Sequence, residues 1–356
     1  ETSQKKKRRD DEKDDGRSSR NISSKRPKRS NYEDVKESNN EDHGDNDYKR
    51  PPRDLSELTI DLSFLCIGAQ KAGTSYLHSI LSRSHRFCLP PQKEVHFWDW
   101  HRRKGLGWYS RQFPLGGGNH FKGGGNMKLC GEITPCYMTL QTHDVREIHT
   151  LFPNLKVIFI ARDLVERAWS ALCMELRNSV RGLKAGQFQL SEQDQIKGTN
   201  SSDRGNTSSS FDTRQQGLLN EKYDRESNPD QYKDDYFLER LEHSTHASRN
   251  DYASGIKRYL SYFSKEQLLI VDYRQLSLHP KETIEQICCF LGLSREESLQ
   301  FVDTLDEDVL SKRVNAANTS NYKIRLSLRK KMEQHLNPCV IKFNRLLEEL
   351  GYDWKI

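Results

Sequence analysis

The segment FLCIGAQKAGTSYLHSIL, residues 64–81, constrains the architecture more than any other stretch of the chain. An apolar run ends at Gly68, a short loop reaches Gly73, and Thr74 and Ser75 open a stretch with Tyr76-Leu77 and Ile80-Leu81 at helical spacing. A buried strand, a glycine turn and a helix N-terminus in this order make an anion site, because backbone N–H groups and the helix dipole converge on the loop. An ATP-binding P-loop carries lysine directly after its second glycine. Here Thr74 stands there, and the only loop lysine is Lys71. That spacing argues against a magnesium-dependent clamp on a nucleotide γ-phosphate. It suits a terminal phosphate-like group whose bridging oxygen is neutralised by one cation. A plain strand–helix turn with a surface lysine is the alternative reading.

The remaining pattern places this loop in a layered fold. SFLCIG (63–68), LKVIFIA (155–161) and QLLIVDY (267–273) read as short buried strands. Helical patterns run from Leu164 to about Arg177, over 253–263 and over 282–293, the last ending at a glycine. Residues 328–350 read as helical with a break at Pro338, and Gly351 is placed as a helix stop. Strand–helix alternation of this kind predicts an α/β domain with a mainly parallel central sheet flanked by helices. Ligands in such folds bind beyond the carboxyl ends of strands.

Composition separates this domain from its surroundings. Apolar residues make up 34% of the 356 and charged residues 30%, and two segments account for most of the imbalance. Residues 1–53 hold Ile22 and Val35 as their only aliphatics apart from glycine and proline, which predicts a disordered polar stalk or linker. Residues 178–235, rich in Ser, Asn, Asp and Gln, read as a surface insertion in a domain spanning 54–356. Roughly 240–250 residues of ordinary composition remain, enough for a sizeable core. The net charge is +6, and the runs KKKRR and KRPKR are interleaved with acidic residues. No nucleic-acid motif accompanies them, so nucleic acid is not an expected partner.

No stretch approaches the ~20 apolar residues of a membrane span. The chain begins at Glu1, and a signal anchor lying upstream would make it a type II membrane protein of the Golgi lumen; secreted and cytosolic locations are the alternatives. Asn-x-Ser/Thr sequons at Asn21, Asn200, Asn206 and Asn318 agree with a secretory-pathway glycoprotein. The eight cysteines show no metal spacing. Cys130 and Cys136 are close enough in sequence to pair, and Cys288-Cys289 reads as part of a half-buried helix.

A second loop sharpens the first. IFIARDLVERAWS puts Arg162 at a strand end and Ser170 two helical turns into the next helix. The arginine fork suits a separate phosphate. Asp163 reads as the N-cap of that helix rather than as a magnesium-holding carboxylate, since the ordinary P-loop lysine is absent.

These two loops together resemble the cofactor loops of sulfotransferases that use 3′-phosphoadenylyl sulfate (PAPS). The resemblance implies that Lys71, Ala72, Gly73, Thr74 and Ser75 hold the 5′-phosphosulfate, that Arg162 and Ser170 hold the 3′-phosphate, that PAP is the product, and that no metal is needed. KEVHFWDWHRRKGLGWY (93–109) resembles a segment of heparan sulfate glucosaminyl 3-O-sulfotransferases and related glycosaminoglycan enzymes. There the match to Glu94 is the catalytic base, supported by the match to His96. GEITPCY (131–137) resembles the next motif of the substrate cleft, and LGYDW resembles the carboxyl end of the same enzymes.

The resemblance implies sulfuryl transfer to a hydroxyl or amine of a carbohydrate, with an anionic polysaccharide as expected partner. Lys71 would neutralise the leaving group. Lys93, Trp98, Asp99, Trp100, Arg102, Arg103 and Thr134 are the expected acceptor-binding residues, with Trp108 and Tyr109 as further aromatic candidates; core packing of at least two of the four aromatics, and a solvated charge run for Arg102, Arg103 and Lys104, are the alternative readings. Tyr322, Lys323 and Arg325 match a late cofactor loop, for which Lys312-Arg313 is a rival. The chain departs from the 3-O-enzymes at Ile133, where they carry a lysine, and in having only Cys339 late in the sequence. Two readings from other classes are a nucleotide kinase with a degenerate P-loop and a non-catalytic glycan-binding relative.

Overall fold

A computed structural model describes residues 55–114, 128–195, 228–311 and 322–356. The expected stalk, the four sequons, Lys312-Arg313 and the middle of the 178–235 segment lie outside the described residues.

Five strands form one parallel sheet: β1 (Leu62–Gly68), β2 (Phe87–Cys88), β3 (Leu129–Ile133), β4 (Lys156–Ala161) and β5 (Leu268–Asp272), in the order β2-β3-β1-β4-β5. Around it lie α1 (Thr74–Leu81), α2 (Gly105–Ser110), α3 (Thr142–Leu151), α4 (Leu164–Gln195), α5 (Asp234–Glu242), α6 (Ser244–Asn250), α7 (Tyr252–Leu260), α8 (Tyr273–Leu278), α9 (Pro280–Leu291), α10 (Arg295–Asp303), α11 (Glu307–Ser311) and α12 (Leu326–Glu349). Central parallel strands are covered on both faces and therefore read as continuous apolar runs. Phe64, Leu65, Cys66 and Ile67 of β1 and Val157 to Ile160 of β4 are all fully buried.

The topology fixes the site. The chain passes through β1, β2 and β3 on one side, then crosses β1 to add β4 and β5 on the other. The carboxyl end of β1 therefore lies where the strand order reverses, the place where open α/β sheets bind ligands.

Several expectations are corrected. Helix α4 continues eighteen residues past Arg177 to Gln195. Its extension has no proline and holds four glutamines and two leucines, so the helix continues despite Gly182 and Gly186, although its composition suggests a loop. Pro338 does not break α12, which runs through it. The proline is exposed, so the carbonyl it leaves unpaired can turn to water. Gly292 and Gly351 end α9 and α12 with φ of 110° and 87°. After Gly351, the Tyr352 N–H bonds back to Leu347 O, and the Tyr352 hydroxyl accepts from the Ile270 N–H of the edge strand β5. Cys130 does not meet Cys136: it sits in register with Cys88 on β2, and its thiol interacts with that of Cys88. Cys288 is buried and Cys289 half-buried on α9, as read from the sequence.

Candidate active site

The first loop joins β1 to α1. Gly73 caps α1 with φ 84°, and a side chain there would meet Leu276 at 3.3 Å and Tyr273 at 3.4 Å. Ala72 and Thr74 are buried, and Ser75 is half-buried at the start of α1. Lys71 is also left-handed, φ 71°. Its ammonium touches the Met174 sulfur at 3.8 Å and has no carboxylate partner among the described residues. Burial, then the charges of Arg177 and Arg162, push its pKa down. An anion at this position would relieve both causes.

The second loop is tied to the first. Arg162 Nη1 donates to Lys71 O at 2.8 Å, and the guanidinium lies over the Tyr273 ring at 4.9 Å. Asp163 caps α4 by accepting the Glu166 N–H at 2.9 Å. Ser170 is half-buried two turns further on. Next to it, Trp169 Nε1 donates to Tyr322 O, which docks segment 322–325 on α4 beside the same loop. Lys323 is exposed there. Arg325 is committed elsewhere: Nε meets Asp234 Oδ1 at 2.5 Å and Nη2 meets Tyr232 O at 2.6 Å, so it clamps the segment to α5 instead of presenting its fork to a ligand.

The third motif supplies acid–base groups. Glu94 (φ 65°) and His96 (φ 53°) join Lys71 as the non-glycine residues with positive φ among the described residues. Such backbone is costly for ordinary side chains and concentrates at functional sites. Lys93 pairs with Glu94 Oε1, His96 Nε2 lies 3.4 Å from Glu94 Oε2, and His96 Nδ1 lies 2.8 Å from Asp99 Oδ2. Burial pushes the Glu94 carboxyl up, but the His96 bond and the Lys93 charge outweigh it and hold the pKa at about 2. Burial pushes His96 down, but its bonds to Asp99 and Glu94 raise it to about 9. At neutral pH His96 is therefore an imidazolium facing the Glu94 carboxylate on one side and Asp99 on the other.

Its geometry is imposed from below. Residues Phe97–His101 form a π-helical turn in which the His101 N–H reaches His96 O at 2.8 Å. The Tyr137 hydroxyl accepts from the Phe97 and Trp98 N–H groups at 2.9 and 3.3 Å and donates to Glu132 Oε1 at 3.1 Å. Tyr109 and Thr134 also donate to Glu132, at 2.6 and 3.1 Å. Thr134 is thus a fully buried prop, not an acceptor contact. Trp98 is corrected likewise: it is 2% exposed and packs on Phe97 and Tyr109. Trp100, two residues on, is 65% exposed and stacks on His96 at 3.7 Å. Arg102 is pinned over Trp98 by an ion pair with the buried Glu147, so it serves packing rather than a polysaccharide. Arg103 stays exposed beside it, and Lys104 lies over Trp108.

His96, Asp99 and Cys136 bring potential metal-ligand atoms within 4.8 Å of one another. Each already has a partner: His96 Nδ1 serves Asp99, and the Cys136 thiol, whose pKa burial pushes up, accepts from Arg249 at 3.3 Å. A protonated thiol beside a guanidinium is a poor cation ligand. Sequence reasoning missed Arg249, Tyr273 and Tyr137. Tyr137 had a signal in its place in GEITPCY and Tyr273 in ending the strand pattern QLLIVDY; Arg249 is brought in by topology.

A parallel sheet with an anion loop at its switch point, an arginine joining that loop to a second, and a carboxylate–imidazolium chain alongside define a group-transfer site. The sulfotransferase domain matches residues 61–343, and the chain belongs to that family. It is 22% identical over 307 residues to the membrane-associated sulfotransferase kil1 of Dictyostelium discoideum, covering 74% of this chain and 64% of that protein. The chain therefore spans less than two thirds of that relative's length. Among solved structures, a sulfotransferase of Alicyclobacillus acidocaldarius aligns at 19% identity with TM-score 0.47, over 83% of this chain and 98% of that one. The sulfotransferase domain of the curacin biosynthetic pathway aligns at 14% identity with TM-score 0.39, over 83% and 99%. Family membership favours the sulfuryl-transfer reading over the nucleotide-kinase one. Among the described residues, no helix is long and apolar enough to cross a membrane.

Proposed function

We propose that the protein transfers a sulfuryl group from PAPS to a hydroxyl of a carbohydrate, with a glycosaminoglycan-like anionic polysaccharide as acceptor. The observation that carries this reading is the constellation of Lys71, Glu94 and His96, each held in left-handed backbone at the loops that frame the β1 end. Family membership and the KEVHFWDW motif support the same assignment.

PAPS supplies the sulfuryl group and departs as PAP. The N–H groups at the start of α1, with Thr74 and Ser75, bind the 5′ end, and Lys71 balances charge on the bridging oxygen as the S–O bond breaks. Arg162 and Ser170 bind the 3′-phosphate, with Tyr273 bracing the guanidinium. Glu94 receives the acceptor proton. A carboxylate held at about 2 is a weak base, but a hydroxyl oxygen bonding to sulfur becomes strongly acidic, so transfer late in the step suffices. His96, protonated and braced by Asp99, orients Glu94 and offsets charge at the acceptor.

The reading also places the reaction in the Golgi lumen, supported by the four sequons and by the membrane association in the name of the Dictyostelium relative. Its test combines labelled PAPS with a panel of polysaccharides and calorimetry with PAP and ADP in the absence of magnesium. Labelled polysaccharide and much tighter binding of PAP than of ADP are expected. Equal affinity for the two nucleotides, or label on no carbohydrate, overturns it.

A further inference from the structure

A cavity of about 790 Å³, lined by residues of α4, α5 and α6, adjoins the first loop. Its size is that of a small-ligand pocket. Gln70, which precedes Lys71, and Met174, whose sulfur touches the Lys71 ammonium, belong to its wall. Glu175, Arg240, His246 and Arg249 line it as well.

The charges in this wall are unequally matched. Glu175 is shared by His246, at 2.6 Å, and Arg240, at 3.8 Å. Glu239 also lines the cavity but is exposed. Arg249 has no carboxylate partner among the described residues; its Nη2 reaches only the Cys136 sulfur, at 3.3 Å. That sulfur in turn lies within 4.8 Å of the ligand atoms of His96 and Asp99. Arg249 therefore stands between the cavity and the chain of groups that begins at Glu94. Its neighbour Asn250 is fixed by the fully buried Arg167, which anchors this end of α6 to α4. Two more observations point to a ligand. Gln70 Oε1 is buried without a partner, and so is Nδ1 of His246, a residue only 5% exposed. Buried polar atoms are rarely left unsatisfied unless something else binds them.

We propose that this cavity is the acceptor site and that Arg249 holds an anionic oxygen group, a sulfate ester or a carboxylate, on the sugar unit that presents its hydroxyl to Glu94. The fork of Arg249 matches either group. Gln70 Oε1 and His246 Nδ1 are then satisfied by sugar hydroxyls. Arg249 sets which acceptors are used, and the inference rests on the sulfuryl-transfer reading.

The test measures transfer from labelled PAPS by wild type, Arg249→Gln and Arg249→Lys. Acceptors are heparan sulfate, its desulfated form and its carboxyl-reduced form, with chondroitin sulfate as a fourth. Arg249→Gln is expected to raise KM for the preferred anionic acceptor about 30-fold or more, as for loss of one member of a buried charge pair. PAP affinity should stay unchanged, which also shows that the variant is folded. Arg249→Lys, keeping charge but losing the fork, should fall between. If desulfation of the acceptor abolishes the effect of Arg249→Gln, the partner is a sulfate; if carboxyl reduction abolishes it, the partner is a carboxylate. The inference is overturned if Arg249→Gln leaves KM within about twofold, or if it raises KM equally for all four acceptors. Wild type that labels no polysaccharide is a different result: it defeats the carbohydrate reading and this inference with it.

Discussion

His96 is bound at both ends: Nδ1 lies 2.8 Å from Asp99 Oδ2, and the opposite ring nitrogen faces Glu94 at 3.4 Å. The two carboxylates overcome burial and raise the imidazole to about 9. The raised pKa means that the charged ring stabilises the fold fully below the ordinary 6.5, and that this contribution is lost as pH rises through about 9. Glu94 has the opposite sign: its contribution is present above 4.5 and lost as pH falls through about 2. If protonated His96 is required, kcat/KM for sulfuryl transfer falls on the alkaline side near pH 9. Asp99→Asn removes one carboxylate and moves that limb down. Its deficit relative to wild type should grow by about tenfold per pH unit between the two pKa values. A pH profile of both proteins checks this, and an unmoved alkaline limb in Asp99→Asn rules out the charged ring as the required form.

Glu94 and Lys71 should separate by their kinetic signatures. Glu94→Gln keeps shape and removes basicity, so turnover should drop by about 10²–10⁴-fold with PAP affinity nearly unchanged. On the proposed function the ammonium faces the transferred group in ground and transition states alike, so Lys71→Ala should weaken both. Paired measurements of transfer rate and PAP dissociation constant are needed. Near wild-type turnover in Glu94→Gln would remove it as the proton acceptor.

Two tryptophans two residues apart should behave oppositely. Trp98 is buried among Phe97, Tyr109 and Arg102, so Trp98→Ala should cost about 3–5 kcal/mol of stability. Trp100 is exposed and stacked on His96, so Trp100→Ala should change stability by about 0.5 kcal/mol or less while raising acceptor KM. Denaturant unfolding and acceptor titration distinguish the two. A destabilised Trp100→Ala with unchanged KM would make that ring structural.

The contrast between these tryptophans shows how far the sequence could be read. Strands β1, β4 and β5 were legible because each is an unbroken apolar run buried on both faces. β2 was not, being two residues long, and β3 was hidden by Gly131 and Glu132. Gly131 is there because a side chain would strike the Phe64 ring at 2.2 Å, and Glu132 because three hydroxyls satisfy it, reasons that exist only in three dimensions. Lys71 and Arg162 stood out because both follow strand ends. Nothing in WDW says which ring is buried, since the π-helical turn decides it. Arg249 carried no local signal, because it reaches the site only through the packing of α6.

Glu132 allows a stability test that is independent of any ligand. Its carboxyl is 1% exposed, and burial raises it to about 7 despite the Tyr109, Thr134 and Tyr137 hydrogen bonds. In the unfolded chain the group returns to the ordinary 4.5. Between those values the folded state keeps a proton that the unfolded state releases. Stability from this group is therefore full below 4.5 and is lost as pH rises through about 7, at up to roughly 1.4 kcal/mol per pH unit. Glu132→Gln keeps the acceptor oxygen for Tyr109 and Tyr137 and offers its amide to Thr134, but cannot ionise. The variant should gain stability over wild type on going from pH 5 to pH 8, with little difference at the acid end. Tyr137→Phe should act differently, since it strips the Phe97 and Trp98 N–H groups of their shared acceptor, a loss of about 1–3 kcal/mol at any pH. Thermal unfolding of the three proteins across this range measures both effects. Parallel curves for wild type and Glu132→Gln would mean that Glu132 does not titrate there, and that the floor beneath the His96 turn is ionised in the folded protein.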